Sequence, residues 1–224
     1  MLSPMRFPAI EDGLKLLVSR CPRLARSCYW AGSACIATEE LGHRKSYDLD
    51  FHTLMALRDV RPILAEVRRA LGPTFETVSE PDEFGSGFRG VMTLPDGSKM
   101  GVEVLSNYED VHPNDLVSSS LEPRIRRVTL SRYLRDKVQC VAERTEARDL
   151  ADITAVLRAR PGLAAVARTA VSAQDALLLS ERLLSWTDEA VVTDLAGYED
   201  IAPEDAITAR ELLLGWVRGG GDDP

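Results

Sequence analysis

Apolar residues recur at helical spacing over residues 10–20, just ahead of Pro22, and predict a first helix that stops there. Ser27-Cys28-Tyr29-Trp30 is a short apolar segment entering Ala31-Gly32-Ser33, after which residues 34–41 return to helical spacing. Residues 47–52 alternate like a strand. Residues 59–71 predict a helix with Pro62 in its first turn, where a missing N–H breaks no hydrogen bond. Residues 74–78, 88–94 and 99–105 read as three more strands, the last two joined by Pro95-Asp96-Gly97, a hairpin signal.

After Asn107 the pattern changes. Residues 130–143, 147–158, 173–186 and 203–218 all carry helical periodicity, with almost no strand candidates between them. A strand-rich first half and a helical second half imply an α+β architecture: a mixed sheet with flanking helices, then a helical bundle. Loop chemistry between residues 107 and 125 (Asn107, His112-Pro113-Asn114, a serine run, Pro123) sets the expected division into domains 1–115 and 116–224. The glycine-rich end, residues 219–224, reads as frayed.

The chain has 224 residues, of which 45% are hydrophobic and 28% charged, as expected of a globular protein. No stretch approaches the length of an apolar membrane span, and the opening residues lack a basic region followed by an apolar core, so a cytoplasmic protein without membrane partners is expected. Cys21, Cys28, Cys35 and Cys140 form no CxxC pair, and His43, His52 and His112 are scattered, so neither a zinc site nor a disulfide framework is predicted.

The 27 basic and 35 acidic residues leave a net charge of −8, unevenly spread. Residues 121–148 hold eight basic and four acidic side chains; residues 175–224 hold twelve acidic and three basic ones. So acidic a chain is a poor general nucleic-acid binder, although the basic island could hold one phosphorylated ligand or one end of an RNA.

The chemistry concentrates in residues 31–51. Asp48 and Asp50 lie two apart on a strand, so their carboxylates project from one face, about 5–7 Å apart, while Leu49 points the other way. Two such carboxylates repel and gain most from a divalent cation between them; magnesium suits that site, completing its octahedron with water and phosphate. Upstream, Gly32-Ser33 precedes a helix whose first amides offer partial positive charge to a phosphate. A phosphate cradle beside a metal-binding pair is what nucleotidyl transfer requires. Glu103, on a strand that could neighbour the aspartates, is the candidate third ligand.

A second cluster lies on the helix over residues 130–143 and just beyond it. Leu130, Leu134, Lys137, Val141 and Arg144 share nearly one face, so a lysine and an arginine sit among apolar neighbours and need charged partners. A nucleoside triphosphate is one such partner; Asp149 or Asp152 is the other.

Together Gly32-Ser33, Asp48-Leu49-Asp50 and the block Lys137…Arg144…Arg148-Asp149-Leu150-Ala151-Asp152 resemble the AbiEii/AbiGii-type nucleotidyltransferase toxins, a branch of the DNA polymerase β-like superfamily. The resemblance runs from about Trp30 to Ile153. It implies that Ser33 contacts the triphosphate, Asp48 and Asp50 hold Mg²⁺, Lys137 steadies the nucleotide phosphates, and Asp149 or Asp152 completes the helical side of the cleft. It also implies an NTP substrate, a tRNA 3′ end or other RNA as acceptor, and a separately encoded antitoxin. The third acid is not strictly kept in this branch.

Two other readings compete. The same site could serve a small hydroxylated molecule, as in aminoglycoside nucleotidyltransferases, or a protein side chain; the net negative charge suits a cationic acceptor. Alternatively the chain is a non-catalytic module that docks a partner through its acidic helices. A basic groove built from Arg124, Arg126, Arg127, Arg132 and Arg135 would single out RNA. His43 beside Arg44 and Lys45 could meet phosphate, but the stretch reads as a solvated loop, and Trp30, Trp186 and Trp216 as packing aromatics.

Overall fold

The computed structural model describes residues 7–144 and 146–219; the opening residues and the end of the glycine-rich tail lie outside the described residues. It divides into two compact units, Met1–Thr129 and Leu130–Pro224.

In the first unit, α1 (Pro8–Arg20) and α2 (Pro22–Ser27) lead into β1 (Cys28–Ala31), α3 (Gly32–Ile36) and a π-helical turn, Ala37–Leu41. Pro22 therefore opens a second helix rather than only closing the first, which its fixed φ and missing N–H favour at that position. The amides of Arg23 and Leu24, unpaired within that short helix, donate to the Glu66 carboxylate, each at 3.0 Å. β2 (Asp48–Ala56), α4 (Arg61–Leu71), β3 (Phe75–Ser79), β4 (Gly87–Thr93) and β5 (Lys99–Asn107) follow, close to the ranges the periodicity predicts.

The sequence does not announce β6 (Leu116–Ser118) or β7 (Arg126–Val128). Each has three residues, too few to display an alternation. They pair with each other, and β7 runs parallel to β1, so the sheet has seven strands in the order β3-β4-β5-β2-β1-β7-β6. This corrects the domain boundary: residues 116–129 belong to the first unit, which ends at Thr129 instead of residue 115.

One sheet face is apolar. Leu49, Phe51, Phe88, Met92, Met100, Val102 and Val104 are all buried there. α1 lies against it with Gly13 directly over Met92, Met100 and Leu49, where a Cβ would overlap the methionine side chains. Burying this face stabilises the unit, at about 25 cal/mol per Å² of apolar area.

The second unit holds α5 (Leu130–Glu143), α6 (Ala147–Ala159), α7 (Ala164–Ser172), α8 (Ala176–Ser185), α9 (Asp188–Leu195) and α10 (Pro203–Val217). α10 packs on α6 and α8, and α5 on α6 and α7. The caps show why two of these helices begin where they do. Asp175 accepts from the amides of Leu177 and Leu178, each at 3.0 Å, and Thr187 accepts from Ala190 at 3.2 Å. Among the described residues no helix is long and apolar enough to cross a membrane.

Candidate active site

β2 delivers the aspartates as its alternation requires. Leu49, Phe51 and Thr53 are fully buried, while Asp48 is exposed and Asp50 partly so on the opposite face. β5 lies parallel beside β2 with Glu103 directly opposite Asp50, and β4 lies antiparallel beside β5 with Arg89 directly opposite Glu103. On the other side, Ala31 of β1 faces Asp50. Arg89, Glu103, Asp50 and Ala31 thus form one row across four strands, on the face away from the apolar core. Asp48 stands in the next row, opposite Gly101.

Two glycines make room for the carboxylates. Gly32 has φ +75°, a left-handed conformation that turns β1 into α3, and a Cβ there would overlap Asp50 Oδ2. A Cβ on Gly101 would overlap Asp48 Oδ1 in the same way.

Glu103 is engaged by Arg89, whose Nε donates to Oε1. The Glu103 side chain is 21% exposed and that of Arg89 68%. The hydrogen bond to Glu103 and that carboxylate's charge raise the Arg89 pKa, and Asp50 and Asp48 add to it, so the arginine feels all three acids. Among the described residues no three acidic, histidine or cysteine side chains converge as a metal cluster.

Ser33 is buried, and Arg44 Nη2 donates to its Oγ at 2.5 Å. Arg44 is 4% exposed, not part of a solvated loop; it also donates to the Lys45 carbonyl at 3.2 Å. Behind Ser33, the π-helical turn is tied to β7. Arg127 donates to Glu39 at 2.9 Å and to Glu40 at 2.7 Å, and Ser119 and Ser120 hydroxyls add to Glu39. Burial pushes the Glu39 carboxyl up, but the Ser119 and Ser120 hydrogen bonds and the Arg127 charge outweigh it and hold it below its ordinary value.

In the second unit, Lys137, Arg144, Asp149 and Asp152 come together as one cluster. Lys137 Nζ lies 2.6 Å from Asp149 Oδ1 and 2.8 Å from Asp152 Oδ2, and 5.3 Å from the centre of the Tyr133 ring. Arg144 grips the Asp149 carboxylate with Nε at 2.8 Å and Nη2 at 3.0 Å. Both aspartates are fully buried, and the lysine side chain is 7% exposed. Burial opposes the lysine's charge, yet the Asp152, Tyr133 and Asp149 charges raise its pKa. Burial likewise works against the Asp149 carboxylate, but Lys137 and Arg144 lower its pKa overall. Asp149 and Asp152, the expected alternative to a phosphate, hold Lys137; a phosphate would have to displace one of them.

The five arginines expected to form a basic groove are largely spoken for. Arg124 makes a bidentate pair with Glu122 (2.7 Å to each oxygen), Arg127 pairs with Glu39 and Glu40, and Arg132 pairs with Asp136 at 2.6 Å.

No protein-family model matches the sequence, and no curated protein is significantly similar to it. Solved structures are similar. JHP933 of Helicobacter pylori is 18% identical, covers 96% of this chain and 96% of its own, and superposes with a TM-score of 0.56. A candidate nucleotidyltransferase of H. pylori is 17% identical over 98% of this chain and 100% of its own, with a TM-score of 0.57. MenT4, a nucleotidyltransferase toxin of Mycobacterium tuberculosis, is 16% identical over 93% of this chain and 82% of its own, with a TM-score of 0.53. The fold is that of nucleotidyltransferases.

Within the nucleotidyltransferase fold, the donor chemistry fits a hard divalent cation. Asp48 and Asp50 offer only carboxylate oxygens, from one face of one strand, each set over a glycine that leaves its carboxylate room. Arg89 and Arg44 are the side chains that sequence reasoning missed. Arg89 was findable: counting outward from the Pro95-Asp96-Gly97 turn, the hairpin register sets it opposite Glu103. Arg44 had no such signal, because nothing in a polar loop announces burial.

Proposed function

We propose that the chain is a Mg²⁺-dependent nucleotidyltransferase that moves a nucleoside monophosphate from an NTP to an acceptor hydroxyl. The observation that carries this is the placement of Asp48 and Asp50 on the polar face of β2, next to the Gly32 turn, in a sheet of nucleotidyltransferase fold. The acceptor oxygen bonds to the α-phosphorus, the bond to the β-phosphate bridge breaks, and pyrophosphate leaves. Magnesium held by Asp48 and Asp50 would lower the pKa of the attacking hydroxyl and neutralise the charge developing on the phosphates. The turn into α3 would present its first amides to the triphosphate. Ser33, oriented by Arg44, would donate its hydroxyl to a phosphate oxygen.

In this proposal Arg144, Asp149 and Asp152 hold Lys137 and fasten α5 to α6 within the helical unit. The chain acts as a toxin paired with an antitoxin protein, a role supported by the sequence resemblance and by the likeness to MenT4. A tRNA end is the acceptor the resemblance implies. The paired state of Arg124, Arg127 and Arg132 favours a second acceptor class, a small cationic hydroxylated molecule, since those arginines offer little to a phosphate backbone.

Incubating the protein with Mg²⁺, labelled NTPs and either total tRNA or a panel of aminoglycosides separates the two. Transfer to tRNA, lost in Asp48→Ala, supports the RNA reading; transfer to the small acceptors supports the second. Undiminished transfer by Asp48→Ala would falsify the site.

A further inference from the structure

We propose that Arg89 is the built-in counter-ion of the carboxylate row: it holds Glu103 while the cation site is empty, and it must let go of Glu103 for that carboxylate to join Asp48 and Asp50 around a divalent ion. The inference rests on the metal-binding reading above. Its geometry comes from the register, in which Arg89, Glu103 and Asp50 are consecutive members of one row across β4, β5 and β2, and from the hydrogen bond that Arg89 donates to Glu103. An arginine at the end of such a row offsets the repulsion among carboxylates that no metal bridges.

The exposure difference gives the switch its direction. Arg89 is 68% exposed, with solvent to move into, whereas Glu103 is 21% exposed and fixed mid-strand. A pair that is exposed on one side contributes little to stability, so its opening is not costly. The energy of interest is instead the competition between one guanidinium and a doubly charged ion for the same oxygens. With Glu103 paired to Arg89 its carboxylate is engaged, and it becomes available as a third ligand when the arginine swings out. Once released, Arg89 would sit at the edge of the site as a cation for the triphosphate, so the same side chain that delays metal binding without nucleotide would favour it with nucleotide bound.

The test is direct metal binding, which needs no turnover. Mn²⁺ is titrated into the intact protein and followed by the loss of its free-ion electron spin resonance signal, for wild type, Arg89→Met, Arg89→Lys and Asp48→Ala. Removing a neighbouring positive charge should tighten Mn²⁺ binding about tenfold in Arg89→Met, the scale expected for one charge acting on a divalent ion at close range. Arg89→Lys should stay within about threefold of wild type, and adding a non-hydrolysable NTP should reverse the order, with wild type the tighter binder. In Glu103→Gln the effect of Arg89→Met should shrink, because the competitor's anchor is gone. Unchanged or weaker Mn²⁺ binding in Arg89→Met, with Asp48→Ala still abolishing binding, overturns the counter-ion role and leaves the metal site standing. Equal Mn²⁺ binding by wild type and Asp48→Ala, or none by any variant, overturns both.

Discussion

At the residue scale, the backbone decides which side chains come within reach of each other. Gly32 sits at positive φ with the Asp50 carboxylate where a Cβ would be. Gly32→Ala therefore combines about 1–2 kcal/mol of left-handed strain with displacement of Asp50. The expected outcome, read by denaturant melts beside label-transfer rates, is a near-total loss of transfer with a modest loss of stability; a fall in stability without any fall in rate would contradict it. Lys137 is a different kind of residue. Truncating it to Met leaves two fully buried carboxylates, with Arg144 as the remaining cation on Asp149, and should destabilise the protein by about 3–5 kcal/mol.

The same cluster has a pH signature. Asp149 has a lowered pKa when folded, so its contribution is fully present above the unfolded value of about 4 and is lost as pH falls through the folded value. Lys137, with a raised pKa, contributes fully below its unfolded value of about 10.4 and loses that only as pH rises through the folded value. Equilibrium denaturation across pH 2–7 should accordingly show a steeper acid limb in wild type than in Asp149→Asn; parallel limbs would contradict the assignment.

At the element scale, most of the first unit is visible in the sequence. β2 and β5 alternate over their whole length with one face destined for the core, and the Pro95-Asp96-Gly97 turn fixes how β4 meets β5. The site's carboxylates are legible for the same reason. What stays hidden depends on partners distant in the chain. β6 and β7 are three-residue strands that exist because β1 offers an edge. The residues expected as one helix over 34–41 begin at Gly32 and change to a π-turn at Ala37, and that turn is held by Arg127, Ser119 and Ser120, eighty or more positions away. Arg127→Met should release it. We expect hydrogen exchange of the Ala37–Leu41 amides to accelerate by an order of magnitude or more, against a global stability loss of about 3 kcal/mol. Unaltered protection there would show that the network is not what holds the turn.

At the scale of the whole molecule, the likeness to nucleotidyltransferases extends over nearly the entire chain, at identities so low that conserved geometry, rather than residue identity, is what is shared. The acidic balance is a property of the molecule that the proposed reaction must overcome: a net charge of −8 repels a triphosphate, so in that proposal a divalent cation and the arginines near the carboxylates would matter more. Mg²⁺ with a non-hydrolysable NTP at about 100 times its Kd should add roughly 2.7 kcal/mol of stability, a rise of about 5–10 °C in Tm for a chain of this size, and Asp48→Ala should show no such rise.

The measurement that bears most directly on the assigned chemistry is the fate of two labels. NTP labelled at the α-phosphate should leave its label on the acceptor, while NTP labelled at the γ-phosphate should release all of it as pyrophosphate, both only when Asp48 and Asp50 are intact. Transfer of the γ-label to the acceptor, or equal α-label transfer by Asp48→Ala and Asp50→Ala, would contradict the account.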